Sequence, residues 1–390
     1  MNEVRPAKPQ VDFDLPPSDT TKELASYGFD FRFTEPVSEQ ETKAITGKTS
    51  SDVQTSPNEF NFSTRLYHTQ SDTMITPDNF QKFGLHGKLF DDVSSCCQDI
   101  VQQELQDFYR YEMISIPISS QSAASGGDAT PPIQAIVSPD LAETLWKDQT
   151  LEPQNHASIQ EKPILMILCG KGKSRAGVLS VKQLVLSGVE SGSAVYHILQ
   201  AEEQKMSVIL LDPNAWGESR GMEVVNHSLT YFFGGETTTR TKEEGTRRTP
   251  ALAGLSKRPL YILAHSAAGG YLARYLSQGF ARETLLRQIN RVAFTDSTHN
   301  LQWYKKDNER LWDYLQSSNC LYIRNNSAPR TFGSHRDKQA GEKHEGDHWW
   351  HHRFGTIPTV WAGTPEHSLM CWTARHVIWK FFSEKDTVNE

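Results

Sequence analysis

Six short apolar runs constrain this chain most strongly: ILMILC (164–169), MSVILLD (206–212), LYILAH (260–265), VAFTD (292–296), CLYI (320–323) and TVWAG (359–363). None shows the in-out alternation of a strand with one wet face. Continuous apolar runs suit strands that are covered on both faces, and each run ends in small or polar residues. Between them lie segments with helical spacing, GSAVYHILQAEEQK (192–205) and AGGYLARYLSQGF (268–280). Alternating strands and helices predict the α/β class, with a mostly parallel central sheet and helices on both faces. Ligands of such sheets sit at the carboxyl ends of the strands. The residues directly after each run are therefore the ones to search for chemistry.

Ahead of this core the texture differs. Residues 1–20 carry charges and prolines and read as a disordered tail. Residues 21–150 form an N-terminal extension. Within it YGFDFRF, NEFNF and FGLHGKLF read as short strands or turns, SSCCQDIVQQELQDF (94–108) as a helix, and YEMISIPI (111–118) as a strand. The segment 21–385 reads as a single domain whose core is 163–385, with long loops at 234–258 and 325–357. A net charge of −7 argues against a general nucleic-acid-binding surface. Five cysteines without a C-x-x-C pair predict reduced thiols. No apolar run approaches the ~20 residues of a membrane span, and the first residues lack an apolar leader. Nucleus or cytoplasm is the expected location, with no membrane partner and no cofactor.

The third run carries the most specific signal. LYILAHSAAGGYLARYL places Ser266 between a strand and a helix, with small residues Ala264, Ala267, Ala268, Gly269 and Gly270 around it. This is the small-x-nucleophile-x-small form of the nucleophile elbow, with alanines at both flanking positions. Small neighbours are needed because the nucleophile sits on a sharp, strained turn. The helix that follows aims its N-terminal amides at the reacting centre. A tight turn with a capping serine is the plain alternative. Two later strand ends supply partners in the order Ser, acid, His. Asp296 closes VAFTD, and His367 follows TVWAG in TPEH. Ser266 would be nucleophile, His367 general base, and Asp296 the group that fixes the imidazole. Oxyanion donors would come from the amide of Ala267 and from Gly170, Lys171 or Gly172 after the first core strand. Among fourteen histidines, His299 in TDSTHN is the rival base.

Other motifs are weaker. Gly172-Lys173-Ser174 imitates the end of a phosphate-binding loop, but the glycine needed five residues earlier is replaced by Ile167, inside a strand. His344, Glu345 and His348 match H-E-x-x-H, which chelates zinc only when both histidines lie on one helix face. Gly346 and Asp347 are poor helix formers, so His344 and His348 are weak metal candidates and the segment reads as a polar surface loop near the rim of the cleft. Arg240, Lys242, Arg247, Arg248, Lys257 and Arg258 could touch phosphates, although Glu236, Glu243 and Glu244 dilute them.

Five segments in order, CGKGKSRAG, ILLDPN, AHSAAGG, VAFTDSTHN and AGTPEHSLMCW, resemble the Argonaute-binding protein 2 domain family. The resemblance implies an α/β-hydrolase-like fold. It also implies a subunit role in an Argonaute, small-RNA or chromatin complex, hence RNA-mediated gene silencing at heterochromatin in the nucleus. Nucleic acid would be at most an indirect partner. Related domains follow the catalytic domain of some class II histone deacetylases. The family's Ser, Asp and His positions fall on Ser266, Asp296 and His367; hydrolase activity is not implied. The elbow departs from the family pattern in its two alanines before the glycine pair, a change expected to shift the helix start. Three functions stay open: a complex subunit with a retained triad, an active serine hydrolase on an ester, thioester or amide, and a zinc metalloprotease.

Overall fold

Residues 164–168 show why the apolar runs are continuous. Ile164, Met166 and Leu168 enter one hydrophobic cluster, while Leu165 and Ile167 enter another on the opposite face. A pleated strand turns successive side chains to opposite faces, so a strand covered on both sides needs every position apolar. Helices Gly221–Phe233 and Ala267–Leu276 supply the first cluster. Helices Gly87–Asp107, Val195–Glu203 and Arg375–Ser383 supply the second. The computed structural model describes residues 19–34, 63–117, 131–149, 162–234, 255, 258–278, 280–306, 308–327, 337–346 and 348–384. NEFNF and most of 234–258, including Arg240, Lys242, Arg247, Arg248 and Lys257, lie outside the described residues.

Strands β1 (Phe29–Thr34), β2 (Ser63–His68) and β3 (Thr73–Met74) form a small antiparallel sheet at the N-terminal end. The main sheet has eight strands: β4 (Glu112–Ile116), β5 (Ile133–Val137), β6 (Ile164–Leu168), β7 (Ser207–Leu211), β8 (Leu260–His265), β9 (Ile289–Thr295), β10 (Cys320–Arg324) and β11 (Thr359–Trp361). Their order is β4-β5-β7-β6-β8-β9-β10-β11. Strand β5 runs antiparallel to both its neighbours, and the remaining pairs are parallel. This is the α/β-hydrolase arrangement. The chain turns at β6, with β7 paired on one side and β8 on the other. Such a switch point opens a crevice at the carboxyl ends of the strands. Residues Gly170, Ser266, Asp296 and Asn325 all follow their strands at that edge.

Several expectations shift. The sheet begins before residue 163, since β4 and β5 belong to it. The helix expected at 94–108 spans Gly87–Asp107. A helix also starts at Asp19, inside the stretch read as a tail. Arg258 is buried, donating from Nε to the Lys162 carbonyl at 2.5 Å and lying 3.7 Å from Asp140, so it braces the sheet instead of reaching for a phosphate. All five cysteines are free and buried. Among the described residues no helix is long and apolar enough to cross a membrane.

Candidate active site

Strand β8 ends at His265 and a helix begins at Ala267, which leaves one residue for the turn. That residue, Ser266, has φ 54° and ψ −124°, a region that L-residues rarely occupy. The neighbours hold it there. Its amide donates to the Thr295 carbonyl at 2.8 Å, and its own carbonyl accepts from Gly269 N at 3.3 Å and Thr298 N at 3.2 Å. The two alanines do not displace the helix start; Ala267 is its first residue and Ala268 is buried. The glycine pair matters for a different reason. A Cβ on Gly269 would stand 2.1 Å from Ser297 Oγ, and one on Gly270 would stand 2.7 Å from Thr298 Oγ1. Both glycines admit the loop that follows β9, and that loop carries Asp296.

Asp296 also holds a positive φ, 48°, and its amide donates to the Ile323 carbonyl at 2.9 Å. His367 Nδ1 lies 2.6 Å from Asp296 Oδ2, and Asn325 Nδ2 donates to the same oxygen at 2.7 Å. Donation from Nδ1 to the carboxylate sets the tautomer that leaves Nε2 as the acceptor. His367 opens a short turn, His367–Leu369, and its side chain is 46% exposed, so the imidazole is open to solvent. The His265 ring lies against it, with centroids 4.7 Å apart and planes 28° from parallel.

The loop after β6 comes close to the elbow. A Cβ on Gly170 would lie 3.0 Å from Ser266 Cβ. Asn214, after β7, staples this loop: its Nδ2 donates to the carbonyls of Gly170 at 3.0 Å and Ser174 at 2.8 Å, and its Oδ1 accepts from Gly172 N at 3.0 Å. The Gly172 amide is therefore engaged already and is removed as an oxyanion donor. Ala267, Gly170 and Lys171 remain. Sequence reasoning passed over Asn214, Asn325 and His265 as site residues. Asn325 had a usable signal, because it directly follows a core strand.

The rivals separate cleanly. His299 is fully buried, with Nδ1 2.7 Å from Ser297 Oγ, and burial pushes its pKa down to about 3; it is no solvent-facing base. Lys173 pairs with Asp91 at 2.7 Å, away from any phosphate cradle. His344 and His348, the weak metal candidates, do not share a helix face. The helix begins only at His348, Gly346 has φ 74°, and Lys343 pairs as an extended bridge with Val360. His344 is buried, bonded through Nε2 to Arg324, with its ring against Trp350 and Trp361. Among the described residues no group of three His, Cys, Asp or Glu could hold a metal. The segment is not simply a polar surface loop either, because Trp350 and Phe354 are core residues.

Sheet order and elbow together define a protein of the α/β-hydrolase fold. Residues 156–328 match the model of the Arb2 domain family, which bears out the resemblance carried by the motifs there; His367 lies beyond the match. The chain is similar to the cotranscriptional regulator ARB2A homolog of Gallus gallus, 21% identical over 267 residues, or 57% of this chain and 58% of that protein. The match thus spans little more than half of that relative's length. Among solved structures, the chain is similar to a histone deacetylase from Saccharomyces cerevisiae (12% identity, 76% of this chain, 97% of that one, TM-score 0.42). It is also similar to a poly(3-hydroxybutyrate) depolymerase from Bordetella parapertussis (10% identity, 73% and 93%, TM-score 0.34).

Proposed function

We propose that this chain is a co-transcriptional regulator whose hydrolase fold keeps a serine-centred acyl-transfer site. The observations that support the chemistry are the strained Ser266 turn, whose amide donates to the carbonyl of Thr295 next to Asp296, and the hydrogen-bonded Asp296–His367 pair. Backbone strain of this kind persists only where the surroundings impose it, and it concentrates at functional sites. In the reaction, His367 Nε2 takes the Ser266 proton as Oγ bonds to the carbonyl carbon of an ester, thioester or amide. The oxyanion is held by the Ala267 amide and an amide from Gly170 or Lys171. Collapse expels the leaving group, which receives the proton from His367. Water then repeats the sequence and frees the acid. Asp296 stabilises the imidazolium, and Asn325 keeps the carboxylate in place.

A fluorophosphonate probe tests the chemistry directly. The folded protein is expected to form a covalent adduct on Ser266, detected by intact mass, and Ser266→Ala to form none. Failure of the folded protein to react would end the serine reading.

The regulatory part of the proposal draws on the named relative and the family match. It expects a nuclear complex with an Argonaute or a chromatin-silencing protein, reached through protein contacts and not through nucleic acid. Affinity capture of the chain from its own cells should recover such a partner. Recovery of metabolic enzymes alone would remove this part and leave the chemistry untouched.

A further inference from the structure

His265, directly before Ser266, lies against His367, Thr295 and the loop at Gly170. Its ring is buried, and Nδ1 lies 2.9 Å from Thr295 Oγ1 at the end of β9. A Cβ on Gly170 would stand 3.1 Å from His265 Cδ2, so the loop after β6 closes on the same ring. The ring in turn lies against His367 at 4.7 Å, within the range of aromatic stacking. Thr295 Oγ1 also meets Cys371 Sγ at 3.5 Å, just past the turn that carries His367.

His367 needs such support. It is 46% exposed and stands at the head of a short turn. Its bond to Asp296 fixes Nδ1 but does not set the plane of the ring. We infer that His265 is a positioning residue for His367, a stacking platform that fixes the plane in which Nε2 is offered to Ser266 Oγ. The inference rests on the proposed serine chemistry. A neutral ring suits this role, and burial together with the neighbouring His367 pushes the pKa of His265 down to about 4. It therefore adds no positive charge beside the imidazolium that His367 becomes when it takes the serine proton.

Two variants of the full chain separate the ring from its volume. His265→Leu fills the space without a flat face, and His265→Phe restores the face without a titrating group. Fluorophosphonate kinetics over a range of probe concentrations resolve probe binding from bond formation. The Leu variant should slow bond formation by about 10- to 100-fold with binding unchanged, the scale of a misplaced reacting group. The Phe variant should stay within about threefold of the parent chain. Proton NMR gives a readout independent of activity: the His367 Nδ1 proton held by Asp296 should be sharp in the parent and Phe proteins and exchange-broadened in the Leu protein. A Leu variant that reacts at the parent rate, or that keeps the sharp proton, overturns the inference. So does a Phe variant as slow as the Leu variant, because the hydrogen bond to Thr295 would then be what matters. Should the parent chain itself fail to react, the serine chemistry falls, and the NMR comparison still decides whether His265 positions His367.

Discussion

Ser266 holds a backbone conformation that costs an L-residue on the order of 1–3 kcal/mol, and its three backbone hydrogen bonds keep it there. Alanine carries the same Cβ, so Ser266→Ala keeps the strain and should match the parent stability within about 0.5 kcal/mol. Glycine has no Cβ and enters this region freely, although it loses more entropy on folding. Ser266→Gly should therefore be more stable than Ser266→Ala by about 1 kcal/mol. Urea denaturation of the two variants measures the difference without any reference to activity. A glycine variant less stable than the alanine variant would mean that the turn is unstrained, and the structural basis for a built nucleophile would weaken with it.

Gly269 begins the second layer of the same design, since its missing Cβ leaves room for Ser297. Gly269→Ala would force that loop outward and should destabilise by about 1–3 kcal/mol, the usual scale of overpacking. It should also slow probe labelling, because Ser297 directly follows Asp296; equal stability and rate would show that the loop yields freely. The small residues of AHSAAGG were legible in the sequence, but the reason for the glycines was not. It depends on a loop some thirty positions further on. The six core strands were legible because burial on both faces demands continuous apolar runs. Strand β5 was not: IQAIV is interrupted by an exposed Gln134 and is too short for its period to be told. The H-E-x-x-H spacing was a weak signal already in the sequence, because spacing implies a shared face only on a helix and Gly346, with φ 74°, bends the backbone out of one. The burial of Trp350 depends on Tyr322, His344 and Phe354, a set assembled by tertiary contact that no local pattern predicts.

At the scale of the molecule, burial keeps His197, His265 and His299 uncharged. Burial pushes His197 down to about 3, His265 to about 4 and His299 to about 3, from an ordinary 6.5. In the unfolded chain each takes a proton as pH falls through 6.5; in the folded chain none does until near pH 4. The unfolded state then binds more protons, so this stability is complete above about pH 6.5 and is lost as pH falls. Buried carboxyls act in the opposite sense, and burial raises Glu202 as well as the two strongest cases. Burial beside Glu190 raises Glu104 to about 7, and burial raises Asp212 to about 6, from ordinary values of 4.5 and 3.8. The folded chain holds those protons where the unfolded chain releases them, which adds stability as pH falls. Set against Glu104 and Asp212, these three histidines leave a net uptake of about one proton on unfolding from the five groups together. Stability should fall by about 1.4 kcal/mol per pH unit between about pH 6 and 5. His299→Phe removes one imidazole and should flatten that slope to near zero. Glu104→Gln removes one opposing carboxyl and should roughly double it. Urea midpoints at a series of pH values read all three slopes. A parent chain that gains stability on acidification through this window would contradict the burial of three neutral histidines, including the one placed beneath His367.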